Sequence, residues 1–162
     1  PAVSKEQQVK ECLNTLALIG YDYKPGSLAR VHQHFNQLKT FRDVKFTYLI
    51  VKSRYYFRLA QAYAHDAHLY ANTSHPDWSL QRLTQAIEAL KKIKGELMGP
   101  WPSRIASFLV MLLKKKFHNC WRESNHPQAR EFLIEIREIE GKTEMPLVDY
   151  AQKLFNEFNS QS

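Results

Sequence analysis

Apolar residues recur along this chain at intervals of three and four, the period of a helix that buries one face. The clearest stripe is Leu83, Ala86, Ile87, Leu90, Ile93 and Leu97. Asp77 stands ahead of it as a cap, Gly95 or Gly99 ends it, and Pro100-Trp101-Pro102 forces an extended break. Ser103 is then expected to cap a helix reaching about Trp121. Upstream, Ser4 with Gln7 suits a capping box for a first helix to about Leu18, stopped by Gly20. Pro25-Gly26-Ser27 reads as a turn and cap before a second helix over Leu28–Lys39.

The segment from Asp43 to Ala71 predicts a long helix. Val44, Tyr48, Val51, Tyr55, Leu59 and Ala62 form one stripe, and Phe46, Ile50 and Phe57 a second. Apolar residues on two faces suit the central member of a bundle. The β-branched and aromatic run Val44–Val51 makes a strand the competing local structure. A loop follows over Asn72–Asp77. Asn125-His126-Pro127 opens another helix, with Phe132, Leu133, Ile136 and Ile139, that ends at Gly141. A last one begins near Pro146 and carries Tyr150, Ala151, Leu154, Phe155 and Phe158. The expected fold is all-α, a single-domain helical bundle of six to seven helices spanning residues 1–162. No internal repeat is visible.

Composition agrees with a globular chain: 44% of residues are hydrophobic, and the 5 Gly and 7 Pro sit at apparent element ends. Charge changes the picture more. Residues 1–122 hold 19 Lys/Arg against 8 Asp/Glu, a net of +11, and residues 123–162 hold 4 against 8, a net of −4. With a pI near 9.4, a basic body and acidic C-terminal helices point to a polyanionic partner met on one side. The alternative is a merely basic protein. Cys12 and Cys120 form no CxxC and read as reduced, buried thiols of a cytoplasmic protein. The polar start has no signal-peptide core. The longest apolar run, Ile105–Leu113, is about half what a bilayer span needs, so no membrane partner is expected.

The basic residues cluster. Arg42, Lys45 and Lys52 fall near one azimuth of the long predicted helix, and Arg54 and Arg58 on another, with Tyr55, Tyr56 and Tyr63 interleaved. Such surfaces can hold phosphates and stack bases. They can equally be solvated faces whose aliphatic stems cover core aromatics. Lys91, Lys92 and Lys94 end one helix. Lys114, Lys115 and Lys116 sit in the next, with Arg122 beyond. A lysine triplet spreads charge around the helix axis, so it can neutralise phosphates but cannot read a base edge. Helix-dipole compensation is the competing account, stronger for Lys91–Lys94. The nucleic-acid-binding candidates are therefore Lys45, Lys52, Arg54, Arg58, Lys91, Lys92, Lys114, Lys115, Lys116 and Arg122.

Candidate chemistry is thin. Among 7 histidines, His32 and His34 diverge on a helix, and His65 and His68 share a face near Asp66 without a cysteine at zinc-finger spacing. Neither a metal nor a cofactor is expected. Arg58 and His65, seven apart on one helical face, resemble the Arg-x4–6-His motif of HEPN-type ribonucleases. That resemblance implies a small all-α enzyme whose Arg and His promote attack of an RNA 2′-hydroxyl. The polar residue common after that Arg is Leu59 here. No phosphate-binding Gly-rich loop or Ser/His/Asp set is present in the sequence.

Size, helix count, basicity and the absence of a catalytic signature together resemble the small subunit of CRISPR surveillance complexes of the Cascade type. The resemblance is one of overall pattern and carries no motif. It implies a non-enzymatic helical subunit of a ribonucleoprotein complex, stacked along a guide-RNA filament and contacting RNA or DNA backbone through Lys and Arg. In some subtypes the domain closes the large subunit and is also translated separately, which a polar, helix-initiating start would suit. The acidic last segment, with Glu131, Glu135 and Glu138, would then pack on a neighbouring basic subunit. A protein-protein scaffold module is the remaining alternative.

Overall fold

In the computed structural model, the described residues are 3–19, 25–71, 73, 76–94, 102–142 and 150–160. They form seven α-helices and no strand: α1 (Lys5–Ile19), α2 (Pro25–Thr40), α3 (Leu49–Ala71), α4 (Pro76–Lys94), α5 (Ser103–Arg122), α6 (His126–Glu140) and α7 (Tyr150–Ser160). The chain is all-α, as its periodicity predicts. Its packing divides into two compact units, Pro1–Glu96 and Leu97–Ser162.

In the amino-terminal unit α3 packs against α1, α2 and α4. It is the central helix that its apolar content predicts. Val51, Tyr55, Leu59 and Ala62 are buried at the expected spacing. Val9, Leu13 and Leu16 of α1, Phe35 and Leu38 of α2, and Leu83, Ala86, Ile87, Leu90 and Ile93 of α4 are buried in the same unit. The short connection between α3 and α4 makes them an antiparallel hairpin. Its seam holds one buried polar bond, from the Ser79 hydroxyl to the Ala67 carbonyl (2.6 Å). The α2–α3 seam holds an ion pair between Lys39 and Asp66, whose carboxylate side chain is 9% exposed.

The carboxy-terminal unit is built on α5, which packs on α6, and α6 in turn on α7. Leu109, Leu112, Leu113, Phe117, Leu133 and Ile136 are fully buried. Asn125 caps α6 by accepting from the Gln128 amide (3.4 Å), with a proline in the first turn. Ser124 takes the left-handed conformation (φ 59°) that reverses the chain between α5 and α6.

Several expected boundaries move. The long helix begins at Leu49, six residues later than Asp43, and residues 41–48 are neither helix nor strand. Val44, Phe46 and Tyr48 therefore do not continue the helical stripes. Asp43 at φ 55° breaks the path after α2. The Glu6 carboxylate accepts from the Thr47 and Tyr48 amides (2.6 and 3.4 Å), fixing where α3 starts. Pro25-Gly26-Ser27 belongs to α2, because proline is tolerated in a first helical turn. Ser103 does not cap α5. Pro102 occupies the cap and its carbonyl accepts from the Ala106 amide (2.9 Å). Ser4 caps α1 as expected (3.1 Å), but the Gln7 side chain turns to Glu11 instead of closing the box. Trp78 is 42% exposed and stands edge-on to Tyr70. The expected stops at Gly20, Gly95 and Gly99, the Pro100-Trp101 break, Leu97 and the Pro146 start lie outside the described residues.

A candidate nucleic-acid interface

The hairpin of α3 and α4 decides which basic residues meet. Its antiparallel path sets the first turns of α3 beside the last turns of α4. Tyr56 marks the junction: the Lys92 ammonium lies 5.3 Å from its ring centroid, and Phe46 packs on Tyr55 and Tyr56 at 5.3 and 6.2 Å. Lys52 is one turn before Tyr56 on the same face of α3. Lys45 precedes Phe46 and is exposed, and Lys91 is exposed beside Lys92. Four of the sequence-selected lysines, from stretches about forty residues apart, thus gather at one end of the unit. Asp43 and Glu88 are the exposed carboxylates beside them in sequence, and Glu6 is engaged on the start of α3.

The arginines of α3 are placed differently. Arg54 reaches the Asn14 side chain of α1 (3.4 Å), and Arg58 donates to Gln61 (3.0 Å). Arg42 leaves the expected helical face altogether. Its guanidinium folds back onto the Lys39 and Phe41 carbonyls, and its own carbonyl accepts from Lys5 (2.9 Å). Tyr55 is buried, and burial pushes its phenol up to about 12, so it cannot be a stacking surface.

On α5 burial sorts the lysine triplet. Lys115 is exposed, whereas Lys114 and Lys116 are half-buried and the Lys116 ammonium lies 5.9 Å from the Phe132 ring centroid. Arg104, Met111, Lys115 and Arg122 are exposed along one face of this helix. Arg104 is not among the basic residues that cluster in the sequence. Its separations of eleven and seven residues across Lys115 to Arg122 are whole helical turns, a signal that was present. Tyr48 falls on the apolar stripe by spacing, yet it is 65% exposed. No local sequence signal marked that, since its exposure follows from where α3 begins.

The residues of the ribonuclease-like pattern both lie on α3. His65 turns toward α2, with its ring 5.9 Å from His32 and 6.0 Å from Phe35. Burial lowers its pKa below 6.5. Asp66 opposes that shift, while His32, His68 and Lys39 reinforce it. The Cys12 thiol is buried, donates to the His34 carbonyl (3.6 Å), and is pushed up to about 11 by burial, so it is a protonated packing group. Among the described residues, no group of three or more His, Cys, Asp or Glu is placed to hold a metal ion. No helix among them is long and apolar enough to cross a membrane.

The arrangement can neutralise phosphates at the α3/α4 end of the amino-terminal unit and, separately, along the exposed face of α5. Comparison with protein-family models, curated proteins and solved structures gives no match.

Proposed function

We propose that this protein is a non-enzymatic nucleic-acid-binding subunit of a cytoplasmic ribonucleoprotein complex, of the kind its pattern resembles in CRISPR antiviral defence. The observation that carries the reading is the Lys92 ammonium over the Tyr56 ring, which joins the end of α4 to the start of α3, with Lys52 one turn before Tyr56 and Lys45 and Lys91 exposed in the adjoining stretches. Ammonium groups drawn from two helices and a connecting segment suit a backbone-tracking surface, indifferent to sequence. Arg104, Lys115 and Arg122 of α5 supply a second basic face. The exposed Glu131 and Glu138 of α6 offer a contact for a neighbouring basic subunit.

Fluorescence-anisotropy titration with labelled single-stranded RNA and DNA tests this. Binding is expected to be sequence-tolerant, and its logarithm to fall with the logarithm of salt at about −0.7 per phosphate contacted. The oligonucleotide should remain intact on an end-point gel. No binding at low salt would remove the proposal in favour of a protein scaffold. RNA cleavage abolished by His65→Ala in a folded protein would replace it with the Arg58/His65 ribonuclease.

A further inference from the structure

Resting on that reading, we propose that the α3/α4 end takes unpaired nucleic acid by stacking a base on Tyr48. Tyr48, Leu49 and Ile50 are consecutive exposed residues at the start of α3, 65%, 47% and 74% exposed. Burying side chains of this kind is favourable, and Tyr48 is the aromatic one among them. What covers it is indicated by its neighbours. Lys45 is three residues before Tyr48, and Lys52 follows one turn later. Lys92 reaches the same end across the hairpin.

An exposed aromatic residue with lysines three positions before it and one turn after it has the composition of a single-strand site: a base stacks on the ring while adjoining phosphates meet the cations. A duplex keeps its bases stacked on each other and offers the ring no face. An acidic protein would use the lysines but has no particular need of Tyr48. The backbone that carries the ring is also held in a defined place. The Tyr48 amide and that of Thr47 donate to the Glu6 carboxylate, and the Tyr48 carbonyl accepts the first helical bond from Lys52 (3.1 Å). A fixed backbone at the ring loses less conformational entropy on binding than a mobile one. Tyr55 is buried, and Tyr56 is half-buried with Lys92 over its ring, so Tyr48 is the ring of this cluster that is presented outward.

The test compares the unaltered protein and its Tyr48→Ala variant on a labelled single strand and on a blunt duplex of the same composition. The expected result is preference for the single strand, roughly five- to a hundredfold weaker single-strand binding by Tyr48→Ala, and unchanged duplex binding. The salt slope should stay as it was, because no phosphate contact is removed. Tyr48→Phe, which retains the ring, should restore the affinity, and thermal melts establish that each variant is folded. Equal losses on single strand and duplex, or no loss on either, would overturn stacking while leaving backbone binding standing. Failure of the unaltered protein to bind any oligonucleotide would overturn both.

Discussion

Two tyrosines seven residues apart show what decides a side chain's role in this protein. Tyr48 and Tyr55 belong to one apolar series, yet one is exposed and the other buried. The backbone between them changes from irregular to helical at Leu49. His65 is the residue whose environment makes a solution prediction. Its imidazole lies against His32 and Phe35 beside the Lys39–Asp66 pair, with burial the first cause of its lowered pKa. In the unfolded chain it takes its proton near 6.5, and in the fold only at lower pH. The unfolded state therefore binds more protons in that interval, and stability falls as pH drops below about 6.5 until the folded pKa is passed. His118 in the carboxy-terminal unit shifts in the same direction. Urea unfolding between about pH 7.5 and 5 should show this loss, and His65→Gln should make the slope shallower. An unchanged slope in His65→Gln would contradict the assignment.

At the scale of elements, the start of α3 is the feature on which the candidate interface depends. Glu6 of α1 supplies the acceptor for the Thr47 and Tyr48 amides, and the carboxylate also meets the positive end of the helix dipole. Glu6→Ala should lower stability by about 1 kcal/mol, within the range of lost helix caps, and speed hydrogen exchange at Thr47 and Tyr48. Glu6→Gln keeps an acceptor and should recover part of both effects. Exchange rates indifferent to Glu6→Ala would show that the start is set elsewhere. The same bond explains which elements could be read in advance. The α4 stripe and the Asn125-His126-Pro127 opening of α6 rest on residues within a few positions of each other, and both are found as expected. The α3 start rests on a partner forty-one residues away in the chain. Local periodicity carries no record of such a partner, so the stripe was extended back to Val44. The lysine grouping at Tyr56 was hidden for the same reason, since it exists only once the α3–α4 hairpin closes. Contacts between helices also separate residues that spacing groups, with Arg54 turned to Asn14 and Lys116 near Phe132.

At the scale of the molecule, the charge division along the sequence and the division into compact units do not coincide. The boundary after residue 122 lies at the turn between α5 and α6, two helices packed within one unit. Counted by unit, residues 1–96 carry 14 Lys/Arg against 8 Asp/Glu, a net of +6, and residues 97–162 carry 9 against 8, a net of +1. The excess positive charge thus resides in the unit that holds Tyr56 and Lys92, the unit to which the proposed polyanion contact is assigned. The most direct measurement is the salt dependence of single-strand binding by the intact protein, by Lys45→Ala/Lys52→Ala/Lys92→Ala and by Lys115→Ala/Arg122→Ala. The account predicts a slope shallower by about 2 in the triple variant, near 0.7 per lost phosphate contact, and a smaller change in the α5 variant. A triple variant with the affinity and slope of the unaltered protein would contradict it.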